Sequence, residues 1–275
     1  MADVTLTAAL RSNLLSIQGT QRLLDSTQLR LATGLKVNSA LDNPSAFFAS
    51  QSLTNRANDL NRLLDGQGQA IQVLKAADEG IKQITSFLEQ AQAIAQEAQD
   101  QLNADPAADV SSLGASFDEV LNQIDDLAGD SGYRGSNLVA GASTLSVTFN
   151  EAGDSTLDVV GADLTVGNDL TVALTGGTWA DTTATQATLD AIAADLTTVR
   201  NTAASFGTSL NIIQTRQDFT QNLINVLKEG SDKLTVADKN EEGAKLLSLQ
   251  TTQQLGITSL SLASQSNQAV LRLFG

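Results

Sequence analysis

Four long stretches of this chain repeat apolar residues in steps of three and four, and two of them lie at its ends. Near residues 5–35, Leu10, Ile17, Leu24 and Leu31 recur every seven positions, with Leu14 and Leu35 four residues on from members of the series. Gln21 and Gln28 lie between them, so the seam is diluted by polar groups. Near residues 238–274 the series is Leu246, Leu249, Gln253, Gly256, Leu260, Ala263, Asn267, Val270 and Phe274. Steps averaging 3.5 residues keep such a stripe on one side of a helix, and the stripe must then be covered. A solitary helix of this length is marginal in water. Either other copies of the chain cover the two stripes, or the stripes cover each other within one chain. Their length and one-sidedness point to the first. Gly256 and Ala263 would let a neighbouring helix approach closely.

The middle of the chain is patterned in the same way. Asn43-Pro44 and Asp105-Pro106 hold the only prolines, each directly after a capping residue, which predicts two helix starts. After the first, a stripe runs from Leu60 through Gln67, Leu74, Ile81, Leu88 and Ala95 to Ala98. After the second come Val110, Leu113, Phe117, Val120, Ile124 and Leu127. A third runs from Leu189 to Leu227, interrupted by Gln217 and Thr220, with Gly230 as the expected C-cap. Between Gly135 and about Gln186 the period changes to two. Residues 144–149, 157–159, 164–166 and 170–174 alternate polar and apolar and are separated by glycines, which predicts short strands and turns. The expected fold is therefore mainly α, with long coiled-coil-like helices from both ends and a small inserted β-domain. The expected divisions are 1–40, 41–135, 136–186, 187–232 and 233–275.

Composition removes several functions. Cysteine and histidine are both absent, which excludes thiol chemistry, Cys/His zinc sites and imidazole acid–base catalysis. The net charge of −15 argues against nucleic acid as a partner. No apolar run is long enough to span a membrane. The first residues lack the basic and apolar regions of a cleavable signal peptide. From Gly135 to Val199 there is no Lys or Arg, while Glu151, Asp154, Asp158, Asp163, Asp169, Asp181, Asp190 and Asp195 are acidic, which reads as a solvated face. From Ala244 onward Lys245 and Arg272 are the only charges, so the C-terminal end resists packing least. Adjacent Asp125 and Asp126 point in different directions on a helix and make a poor catalytic pair. Trp179 reads as a core residue. The glycine-rich turns form neither a dinucleotide fingerprint nor a P-loop, and no EF-hand spacing is present. The chain is expected to have no catalytic residues, no metal and no cofactor.

Two motifs at opposite ends carry a resemblance. The stretch Leu29-Arg30-Leu31-Ala32-Thr33-Gly34-Leu35-Lys36-Val37-Asn38-Ser39-Ala40-Leu41-Asp42-Asn43-Pro44 resembles the N-terminal signature of bacterial flagellins, approximately RLSSGLRINSAKDD. The stretch from Ala244 to Gly256, closing on Gln265 to Phe274, resembles the flagellin C-terminus, and the final Leu-Phe-Gly is similar to short alphaproteobacterial flagellins. The resemblance covers residues 1–140 and 186–275.

It implies a structural subunit that polymerises with itself into an extracellular swimming filament. The terminal helices would form an inner tube, disordered in the free monomer. Their assembly contacts would be Leu10, Leu14, Ile17, Leu24, Leu31, Leu246, Leu249, Gly256, Leu260, Ala263, Val270 and Phe274. The helices near 44–99, 106–128 and 187–229 would form an outer tube. The link around Gly34, Asn38, Asp42, Asn43 and Pro44 would be the spoke between the tubes. The insert would face outward and could carry O-linked glycans. Implied partners are the type III export apparatus, an export chaperone, and the filament cap and junction proteins. Many flagellins carry an LQRVRELAVQ-like segment read by a vertebrate Toll-like receptor. In this chain Gln90 and Gln92 replace its arginines, next to Ile94, so weak receptor activation is expected. A hook–filament junction protein and an adhesin acting through the insert are the alternative readings.

Overall fold

The computed structural model describes residues 8–141 and 143–274, with the side chains at 8, 9, 267 and 270–274 excepted. It contains five helices and one hairpin in the order α1 (Ala8–Thr33), α2 (Pro44–Ala104), α3 (Ser111–Asp130), β1 (Thr144–Thr148), β2 (Thr156–Val160), α4 (Thr182–Thr235) and α5 (Lys239–Phe274). The chain divides into two compact units, Ala57–Asn225 and the combination of Met1–Arg56 with Val226–Gly275.

The unit formed by residues 57–225 owes its core to the stripes. On α2 the buried line is Ala70, Leu74, Ala77, Ile81, Ile84, Leu88, Ala91, Ala95, Ala98 and Leu102. On α3 it is Phe117, Leu121, Ile124 and Ala128, and on α4 it is Leu189, Ile192, Leu196, Val199, Phe206 and Ile213. These lines, with alternating steps of three and four, meet in one cluster. The insert contributes to that same cluster through Leu138, Val139, Val147, Phe149, Val159, Leu164, Leu170, Val172 and Trp179. It therefore folds onto the helices rather than around a centre of its own. Trp179 is a core residue, stacked edge-on against Phe117 at 5.1 Å, with its Nε1–H donating to Thr188 Oγ1 at 3.0 Å.

The insert has less sheet than its alternation predicts. β1 and β2 pair antiparallel with Thr144 opposite Val160 and Thr148 opposite Thr156, but 164–166 and 170–174 form no strands beyond a single bridge between Val166 and Leu170. Helical aspartates take several of the backbone N–H groups in and just beyond these stretches instead. Asp125 Oδ1 accepts from Val166 N–H at 2.7 Å, and Asp118 accepts from Thr175 N–H and Gly177 N–H at 2.6 and 2.8 Å. Asp195 accepts from Thr171 N–H and Val172 N–H at 2.7 and 2.9 Å, and also from the Thr171 hydroxyl. Asp195 is fully buried, so it is not part of a solvated face. A carboxylate satisfies two donors of an extended segment as well as a neighbouring strand would.

Two helix boundaries also depart from the sequence reading. Asp105-Pro106 makes a turn, not a helix start. Asp105 Oδ1 accepts from Ala107 N–H at 3.0 Å and its carbonyl from Ala108 N–H at 2.9 Å, which spends the capping oxygen locally, and α3 begins at Ser111. Gly230 does not end α4, which continues to Thr235. The glycine instead permits close packing: a Cβ there would meet Leu53 Cδ1 at 3.3 Å. Asn43-Pro44 does start α2, and Asn43 Oδ1 caps Ala46 N–H at 3.1 Å.

Candidate assembly surfaces

The terminal helices pack against each other within one chain. Arg30 contacts Glu242, Gln21 contacts Gln253, and Gly256 faces Ile17, so α1 and α5 run antiparallel. A Cβ at Gly256 would lie 2.9 Å from Ile17 Cγ1, which makes the glycine a requirement of this approach. The seam on α1 is Leu10, Asn13, Ile17, Thr20, Leu24, Thr27 and Leu31, all buried or half-buried. On α5 it is Glu242, Leu246, Leu249, Gln253, Gly256, Leu260 and Ala263. Within one chain, therefore, the two end stripes cover each other along this seam. The side chains of Val270 and Phe274 lie outside the described residues.

Leu14 departs from the expected seam. It is 38% exposed and stands off the buried line, where Asn13 takes the position the heptad requires. It belongs to a second group that the stripes did not single out. Leu15, Leu23 and Leu29 on α1, with Leu247, Leu255, Ile257 and Leu262 on α5, are all exposed. Large aliphatics in this number on both members of a helix pair form an uncovered apolar surface.

The seam also holds a partly buried ion pair that the sequence pattern did not reveal. Arg30 Nη1 lies 3.0 Å from Glu242 Oε1, with Glu242 the more buried partner. Its second oxygen, Oε2, is buried without a hydrogen-bond partner.

The links between helices are fixed by hydrogen bonds. Gly34 ends α1 at φ +73°, donating its N–H to Arg30 O at 2.8 Å, as a left-handed C-terminal residue does. Leu35 then bridges antiparallel to Val236 in the α4–α5 link. Lys36 N–H donates to Thr235 O at 2.7 Å, and Ala237 N–H donates to Gly34 O at 2.9 Å. Asp42 Oδ2 accepts from both Asn38 N–H and Ser39 N–H at 2.9 Å. Those two backbone donors hold its carboxyl below the usual carboxylate range. Beyond Pro44, Ser50 and Thr54 meet Ser231 through their hydroxyls at 2.8 and 3.0 Å. Two segments 177 to 181 residues apart are thereby joined, and no local sequence signal could reveal it.

Of the segment 88–97, Gln90 is exposed, while Gln92 and Ile94 are half-buried, with Ile94 packed on the core. No helix among the described residues is long and apolar enough to cross a membrane. Among those residues no group of three acidic, His or Cys side chains is placed to hold a metal ion.

The N-terminal helical region of bacterial flagellins matches residues 5–144, and the C-terminal helical region of bacterial flagellins matches residues 189–274. Flagellin FljN of Caulobacter vibrioides is 32% identical over 262 residues, spanning 94% of this chain and 93% of that protein. A flagellin of Brucella melitensis is 27% identical over 291 aligned residues, spanning 100% of this chain and 99% of that protein. Flagellin C of Rhizobium meliloti is 43% identical over 74 residues, which span 27% of this chain and only 23% of that protein. A Bacillus cereus flagellin crystal structure superposes with a TM-score of 0.47 at 18% identity, over 55% of this chain and 86% of that one.

Proposed function

The chain belongs to the bacterial flagellins, and on that premise we propose that its paired terminal helices are the element through which copies of it join. The protein is a structural subunit that polymerises with itself into the extracellular flagellar filament. No catalytic role is assigned to it.

The observation that supports this route is the exposed aliphatic surface on α1 and α5. Burying a leucine or isoleucine fully contributes roughly 1.5–3 kcal/mol. Fixing one residue's backbone costs about 1–2 kcal/mol. The seam alone, diluted by Asn13, Thr20, Thr27 and Gln253, cannot offset the ordering of two long helices. Neighbouring subunits that cover Leu15, Leu23, Leu255 and Leu262 supply the remainder, so the ends become fully ordered when the subunit joins. The polar seam positions fix register at some cost in strength.

In the same reading the α1–α5 pair lines the inner tube, and α2, α3 and α4 form the outer one. The 32–56 stretch is the spoke, and the insert faces outward, where its hydroxyls can take O-linked glycans. Export proceeds without signal cleavage through the type III apparatus, with a chaperone on the C-terminal helix and with cap and junction proteins as further partners. Gln90 and Gln92 stand where receptor-recognised flagellins carry arginines, so purified monomer should activate a Toll-like receptor reporter weakly or not at all. A normal response would overturn that point.

Leu260 is half-buried on the α5 seam, and Leu260→Asp places a charge there. This variant and a chain lacking residues 246–275 should be secreted as monomers that do not polymerise. Filaments of normal length from either, seen by electron microscopy, would refute the assignment of assembly to these helices.

A further inference from the structure

Among the described residues, Arg134 is the only one besides glycine with positive φ, at 50°, and Gly135 follows at 84°. Tyr133 and Ser136 exchange backbone hydrogen bonds across them, at 2.8 Å from Tyr133 N–H to Ser136 O and 3.0 Å in return. Two consecutive positive φ angles make a type I′ turn, whose first central position suits Asn, Asp or Gly. An arginine there is strained, and strain of this kind persists where a side chain is needed in one place.

The place is the edge of a cleft of about 500 Å³ between α2, the 133–136 turn and β1. Arg134 Nη1 donates to Gln69 Oε1 at 3.0 Å, and the Tyr133 hydroxyl donates to the same oxygen at 3.4 Å, so Gln69 anchors the turn. Arg62 lines the same cleft, and its ion pair with Asp59 is one helical turn apart and solvent-exposed, hence weak. Val73, Leu145 and Val147 supply apolar lining. Two arginines therefore converge on one amphipathic cleft in a chain of net charge −15.

The charge pattern indicates what fits. The stretch from Gly135 to Val199 carries acids and no Lys or Arg, and its hairpin exposes Glu151, Asp154 and Asp158. A second copy brings this acidic surface at the concentration of the filament itself. We propose that the cleft is a contact between subunits. It receives a carboxylate from the acidic insert of a second copy, with Arg134 and Arg62 as countercharge. This rests on the filament reading and adds to it an electrostatic contact separate from the terminal helices.

The test compares wild-type protein with Arg134→Gly, which suits the turn and removes the guanidinium. The R134G monomer should melt at or above the wild-type temperature, because the strain is relieved. At about 50 mM salt its critical concentration for polymerisation should rise about tenfold, and at about 500 mM, where screening is strong, the difference should close. Wild-type polymerisation beside an R134G chain with an unchanged critical concentration would overturn the contact alone. An increase independent of salt would overturn its electrostatic basis and so the proposal. N-acetylneuraminic acid, an acidic sugar, is the competing occupant. If it raises the melting temperature of wild type but not of R134G, while the critical concentrations agree, the cleft is a sugar site and the contact is overturned. A wild-type chain that never polymerises would remove the filament reading and this contact with it.

Discussion

The bundle of residues 57–225 and the α1–α5 pair are built from the same heptad pattern, yet they bury it differently. In the bundle, three helices and the insert close over one cluster, and Phe117, Leu88, Leu121, Ile124 and Ile192 are fully buried. In the pair, two helices share a narrow seam, and exposed leucines flank it. A third covering element makes the difference. A stripe with helices on two sides disappears inside the molecule, whereas a two-helix seam always leaves outer faces. The bundle therefore covers its stripes within a single subunit, whereas the pair leaves large aliphatic side chains exposed beside its seam.

Four substitutions probe this contrast. The largest effect is expected in the bundle. Asp195→Ala removes a buried carboxylate that serves three donors of Thr171 and Val172, and should cost about 4 kcal/mol. Thermal melting should show a collapse of the 57–225 unit, and an unchanged melting temperature would show that the insert needs no such anchor. Leu24→Ala empties a buried seam position and should weaken the α1–α5 pair by about 3 kcal/mol. Its filaments should melt earlier while the middle of the monomer is unaffected, and an equal loss in both would erase the distinction between the regions. Gln67→Met should act in the opposite direction. Gln67 is fully buried in the bundle, donating to Thr148 O at 3.4 Å while its Oε1 has no partner. Replacing it should stabilise the bundle by about 1 kcal/mol, as measured by denaturant midpoint, and a large loss would mean that the polar group is needed.

The smallest effect concerns the 38–42 turn. Its Asp42 pKa is lowered on folding, so its contribution is present above the ordinary carboxylate range and is lost as pH falls through the lowered value. Amide shifts of Asn38 and Ser39 should titrate at a midpoint below that of a free aspartate and lose the transition in Asp42→Asn. A midpoint at the free value would contradict the two backbone hydrogen bonds.

What could be read from sequence was local or periodic. The stripes on α2 and α4 and the Asn43-Pro44 start follow from spacing and backbone preference. Asp105-Pro106 offers the same signal as Asn43-Pro44, but its carboxylate closed a turn with Ala107 before a helix could form. Alternation at 164–166 and 170–174 indicated sheet wrongly, because the N–H groups of Val166, Thr171 and Val172 go to aspartates on α3 and α4. Asp118 and Asp125 lie seven residues apart, beside the core positions Phe117 and Ile124, and that spacing was the available hint. Asp195 looked like one more surface charge because nothing local marks a buried acid. The Arg30–Glu242 pair and the bridge between Leu35 and Val236 join segments separated by most of the chain, beyond any periodicity argument.

The ends should depend on neighbours for the cover that the bundle supplies for itself. Amide hydrogen exchange on dilute monomer and on assembled filament tests it most directly. Amides of α1 and α5 should exchange fast in the monomer and slowly in the filament, while those of α2 between Ala70 and Leu102 are slow in both. Protection of α1 and α5 in the dilute monomer equal to that of the bundle would contradict it.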